Sequence, residues 1–147
     1  METSGSQGKP TVGLIGLGNL GNPMALSLLS SGYSIVVHSL LKREAENLIP
    51  FGARWVDSAA EVGRASDVVI TVLPAPHHVR DIMIGGGNVL ENMKPGSTFI
   101  DMSTSSVEVA EEIRKVAELR GVSVIEAPVS FLAKAPIGGS RTSAMPP

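Results

Sequence analysis

The stretch TVGLIGLGNLGNPMA, residues 11–25, decides how the rest of this chain is read. Its glycines at 16, 18 and 21 stand in the spacing G-x-G-x-x-G, directly after an aliphatic run and directly before a helix-like segment. In a chain with 16 glycines the spacing alone is weak, and a glycine turn without a ligand is the alternative reading. Between a strand and a helix, each glycine has a physical task. Gly16 permits the tight turn, Gly18 lets the backbone approach a pyrophosphate with no Cβ in the way, and Gly21 allows helix and strand to pack closely. The helix start then offers unpaired N–H groups and the positive end of its dipole to phosphate oxygens.

Outward from this turn, aliphatic runs alternate with helix-like segments. TVGLI (11–15), YSIVVH (33–38), ARWV (53–56), DVVITVL (67–73), STFIDM (97–102) and VSVIEAP (122–128) read as strands. Residues from about 22 to 31, 58–65, 75–85 and 105–121 read as helices, and LLKREAENLIPFG (40–52) as a helix broken by Pro50. This rhythm predicts an α/β fold of Rossmann type, a doubly wound parallel sheet covered on both faces. The aliphatic strands agree, because parallel strands buried on both faces read as unbroken apolar runs. Three parts follow: a disordered arm over 1–10, a single domain over 11–130, and a divergent tail over 131–147 with no periodic apolar pattern.

Composition excludes several classes. The 147 residues carry a formal net charge of −2, which gives no electrostatic footprint for nucleic acid. Cysteine is absent, which removes disulfides, thiolate metal sites and thiol nucleophiles together. No apolar run approaches the roughly 20 residues of a membrane span, and the first ten residues lack the apolar region of a secretory signal. A cytoplasmic protein is the default expectation. His77 and His78, adjacent at a helix start, are expected to point in different directions and lack an acidic or cysteine partner, so no metal site is predicted. Glu108, Glu111, Glu112, Arg114 and Lys115 alternate in sign and read as a solvated helix face.

The end of the second strand bears on cofactor choice. An Asp or Glu about 20 residues after the glycine turn would bind the adenosine ribose 2′-hydroxyl. Neither His38 nor Ser39 is acidic, while Ser39, Lys42 and Arg43 could hydrogen-bond or neutralise a 2′-phosphate. The expectation is NADP, with NAD as the alternative. A solvated helix start is the other reading of Lys42 and Arg43.

The segments GLIGLGNLGNPMALSLLSSGYSIVVH, DVVITVLPAPHHVRDIM, GGNVLENMKPGSTFIDMSTSS and EAPVS run in order from Gly13 to Ser130. In these motifs the chain resembles the β-hydroxyacid dehydrogenases, whose cofactor domain is related to that of 6-phosphogluconate dehydrogenase. The resemblance implies that Gly16, Leu17, Gly18, Asn19, Leu20 and Gly21 hold the pyrophosphate, and that Leu73 and Pro74 lie beside the nicotinamide half. It further implies that Thr104 contacts the cofactor near the nicotinamide ribose and that Ser103 and Ser130 hold a small carboxylate substrate. Capping of the next helix is an equal reading for Ser103 and Thr104.

The chain also departs from the family. Phe131 and Leu132 follow PVS where relatives have Gly-Gly, and Ser39, Leu40 and Leu41 replace the usual Asn-Arg-Thr. In the family a lysine of a following all-helical domain handles the alcohol proton, and this chain ends before such a domain. Neither Lys94, Lys115 nor Lys134 is assigned that role, so no catalytic residue is named. The expected function is the NADP(H)-binding domain of an oxidoreductase that moves hydride between nicotinamide and a small 3-hydroxyacid or semialdehyde, weak or inactive as this chain stands. The alternatives are a non-catalytic NADP-binding module, a partner subunit, or a misspliced or frameshifted product. Apolar surface left without its partner domain predicts self-association.

Overall fold

The structure, a computed structural model, describes residues 8–103 and 106–127. Six strands among these residues form one sheet: β1 (Thr11–Ile15), β2 (Ser34–His38), β3 (Arg54–Trp55), β4 (Val68–Thr71), β5 (Thr98–Asp101) and β6 (Ser123–Glu126). Their order across the sheet is β3-β2-β1-β4-β5-β6, and every pairing is parallel. The chain winds outward from β1 to β3, then returns to the other side of β1 to lay down β4, β5 and β6. That reversal makes the carboxyl ends of β1 and β4 the switch point where ligands bind in open α/β sheets. The register sets Ile15, His38, Thr71, Asp101 and Glu126 in one row along that edge.

Among the described residues, five α-helices accompany the strands: α1 (Gly21–Ser30), α2 (Ala59–Ala65), α3 (Pro76–Met83), α4 (Val89–Asn92) and α5 (Val107–Arg120). Because successive strand residues face opposite sides, the aliphatic runs feed two cores. Val12, Leu14, Ile35, Val37 and Ile70 pack with Ala25 of α1 on one face. Ile15, Val36, Val69 and Phe99 pack on the other with Val62, Val79, Leu90 and Ile113 from α2, α3, α4 and α5. Gly13 belongs to the second face, where a Cβ would lie 2.4 Å from Val62 Cγ1, so α2 can sit directly on β1 only because this residue has no side chain. On the first face, Ile100 and Met102 are half-buried and Ile125 is 49% exposed. This apolar strip on β5 and β6 is therefore only partly covered among the described residues.

Several expectations change. Residues 40–52 form two 3-10 turns, Lys42–Ala45 and Ile49–Phe51, rather than a helix broken at Pro50. The Glu44 carbonyl accepts from Asn22 Nδ2 at 2.8 Å, and Leu48 N–H turns to Ala45 O at 2.9 Å, so the i to i+4 ladder never starts. The short helix α4, which buries Val89 and Leu90 completely, is not anticipated by the periodicity because it is only one turn long. Ser106, not Ser103, is the side-chain cap of α5, accepting from Val109 N–H at 3.1 Å. The charged face of α5 is not simply solvated: Glu112 pairs with Arg80 of α3 at 3.0 Å and Arg114 with Glu126 of β6 at 2.6 Å. No helix among the described residues is long and apolar enough to cross a membrane.

Candidate functional site

At the carboxyl ends of β1, β2 and β4 the chain leaves a groove of about 730 Å³. The glycine turn forms its floor. Gly16 has φ +102° and its N–H donates to His38 O at 3.1 Å, which bends the chain away from β1 and pins the turn to β2. A Cβ on Gly16 would meet Val72 O at 2.1 Å, and one on Gly21 would meet Gly16 O at 1.9 Å. A Cβ on Gly18 would meet nothing within 4 Å. Gly18 is exposed and lines the groove, so the space its missing side chain leaves open belongs to the ligand side.

Beyond the turn, α1 starts without a side-chain cap and without an acid in its first turn. Among the described residues, the N–H groups of Asn19 and Leu20 donate to no backbone or side-chain acceptor. Free N–H groups, the positive end of a helix dipole and an open Gly18 together suit a pyrophosphate. The residues present therefore fit the dinucleotide that the glycine spacing implies.

Leu17 contributes differently from its neighbours. Its side chain is buried and its N–H donates to Ser39 Oγ at 3.1 Å, so it secures the loop against β2. Ser39 is itself buried and donates to Glu44 Oε1 at 2.5 Å. Asn22 and Asn47 exchange side-chain amide bonds at 2.8 and 2.9 Å, which ties the first turn of α1 to the 3-10 turn region.

The opposite end of the groove is built by β4 and β5. Buried Asp101 accepts from Thr71 Oγ1 at 3.0 Å and from Ser103 N–H at 2.9 Å. Ser103 Oγ accepts from Leu73 N–H at 2.8 Å and donates to Thr71 O at 3.3 Å. Its hydroxyl is thus used in both directions, and it fixes the wall formed by Leu73 and Pro74. His78 and Ile82 of α3 line the same end. The His77 and His78 rings do not point apart; their centroids are 4.2 Å from each other. Among the described residues no group of three His, Asp or Glu side chains could hold a metal ion.

The groove brings together Gly16, Leu17, Gly18, Asn19, Leu20, Gly21, Ser39, Leu73, Pro74 and Ser103, all expected from the sequence. Thr104 and Ser130 lie outside the described residues. Lys94 sits at the far, amino end of the sheet, 3.3 Å from Asp67, whose own carboxylate accepts from Thr11 N–H. Lys134 falls outside the described residues. Sequence reasoning missed His38, Glu44, His78 and Met102, which also line the groove. Glu44 was unreadable because its place depends on the 3-10 turn and on two partners outside that turn, Ser39 and Asn22.

A parallel sheet with a glycine turn at its switch point defines a dinucleotide-binding unit of Rossmann type. The chain belongs to the family of the NAD binding domain of 6-phosphogluconate dehydrogenase, whose pattern matches residues 11–140. It is 35% identical over 122 residues to an uncharacterised oxidoreductase of Bacillus subtilis, covering 83% of this chain and 42% of that protein. It is 36% identical over 122 residues to mitochondrial 3-hydroxyisobutyrate dehydrogenase of Mus musculus, covering 83% of this chain and 36% of the relative. The structure of Mycobacterium tuberculosis 3-hydroxyisobutyrate dehydrogenase with L-serine superposes with a TM-score of 0.75 at 35% identity, covering 84% of this chain and 41% of that one. The chain thus spans about two fifths of the length of the relatives it matches. The resemblance and the fold read from the motifs are both borne out.

Proposed function

We propose that this chain is the nicotinamide-dinucleotide-binding unit of an oxidoreductase acting on small 3-hydroxyacids or their semialdehydes. The observation that carries the reading is Gly18: open space where a Cβ would stand, beside the uncapped start of α1, at the switch point of the sheet. The bound nicotinamide supplies hydride transfer, and the protein supplies placement. Asn19 and Leu20 offer N–H groups to the pyrophosphate. Leu73 and Pro74, held by Ser103, form the wall for the nicotinamide half, and His78 and Ile82 close the side next to α3. A small carboxylate substrate would meet the groove at this end. The class of substrate rests on the similarity to 3-hydroxyisobutyrate dehydrogenases.

Fluorescence titration of the purified chain with NADH and, in parallel, NADPH tests the reading. Saturable binding of at least one nucleotide is the expected result. Absence of binding by both at near-millimolar concentration would overturn it.

A further inference from the structure

The turn after β2 brings to the groove an acid that the strand end lacks. Glu44 lines the groove next to Ser39, and both its ends are anchored. Ser39 Oγ–H donates to Oε1 at 2.5 Å, and Asn22 Nδ2 donates to the Glu44 carbonyl at 2.8 Å. Ser39 in turn accepts from Leu17 N–H, so the carboxylate is fixed relative to the loop that faces the pyrophosphate. Its Oε2 has no partner among the described residues and remains open as an acceptor. Lys42 and Arg43 lie on the same turn but are exposed and take no part in the groove lining.

The β2 side of the switch point is where an adenosine ribose is placed in sheets of this type, with an acid on its 2′-hydroxyl. An ionised carboxylate only accepts hydrogen bonds, which suits a ribose hydroxyl and opposes a 2′-phosphate. We propose that Glu44, steadied by Ser39 and Asn22, is the cofactor-selecting residue and makes the chain prefer NAD over NADP. This rests on the dinucleotide reading above and reverses the preference expected from the acid-free strand end. The acid arrives from the turn instead of the strand.

Titrations of the full chain and two variants with NADH and NADPH, read by fluorescence, test the proposal. NADH is expected to bind roughly tenfold or more tightly than NADPH, the scale set by like charges facing each other in a partly screened groove. Glu44→Gln should bring the two affinities together, chiefly by tightening NADPH. Glu44→Asp keeps the charge and should keep the preference for NADH, which separates charge from packing. Circular dichroism melts of both variants check that the fold is retained. Equal or tighter NADPH binding by the native chain, or an unchanged ratio in Glu44→Gln, would overturn the selecting role while leaving the dinucleotide reading intact. Failure of both nucleotides to bind the native chain would overturn both.

Discussion

Gly16 and Gly18 are two residues apart and respond to a side chain for opposite reasons. At Gly16 the left-handed φ and the nearby Val72 carbonyl both oppose a Cβ. Gly16→Ala should lower unfolding stability by about 1–3 kcal/mol, through backbone strain and crowding. At Gly18 a Cβ meets open space, so Gly18→Ala should leave the melting curve nearly unchanged and weaken nucleotide binding. Parallel thermal melts and NADH titrations separate the two; equal destabilisation would contradict the geometry. The glycines were legible in the sequence because a spacing along the chain reports a local turn. Leu73 and Ser103 were named through the family resemblance, with which their places just beyond aliphatic strands agree. Glu44 was not, because its position follows from partners at Asn22 and Ser39 that no local pattern reveals.

Among the elements, the amino ends of β1 and β4 are joined by one side chain. Asp67, just before β4, accepts from Thr11 N–H at 2.9 Å and pairs with Lys94 at 3.3 Å. The Thr11 hydrogen bond first, and Lys94 after it, hold the Asp67 carboxyl below its ordinary value of 3.8. A carboxyl whose folded pKa is depressed adds stability above its unfolded value and loses it as pH falls through the folded one. Asp67→Asn should therefore cost less than about 1 kcal/mol at neutral pH, as befits a half-exposed pair. The gap to the native chain should narrow on acidification below the ordinary carboxylate range. Urea midpoints at pH 7 and pH 3 check this, and an equal gap at both would contradict it. The doubly wound, parallel character of the sheet was readable from alternation, whereas α4 and the paired 3-10 turns were not. Elements that short carry too few residues to show a period, and their form is decided by tertiary hydrogen bonds.

For the whole molecule, uneven coverage of the sheet matters most. Among the described residues, the face carrying Ile100, Met102 and Ile125 has a partly exposed apolar strip at the β5–β6 side. Self-association through this strip is the expected behaviour at high concentration. Ile125→Lys should shift sedimentation velocity profiles toward the monomer, because a charge there opposes burial against a second copy. A native chain that sediments as a single monomer at every concentration would refute the expectation.

The place of β1 has a consequence for how the chain comes into being. It is the first of the described strands and lies inside the sheet, with Val12 beside Ile35 on one side and Val68 on the other. On the ribosome, where synthesis adds about 5–20 residues per second, one edge of β1 is completed early by β2. The other waits roughly 3–11 s for the 56 further residues that bring β4. During that interval an aliphatic strand presents unsatisfied N–H and C=O groups to any neighbouring chain. Nascent chains stalled between β2 and β4 are the species for which a chaperone would matter most.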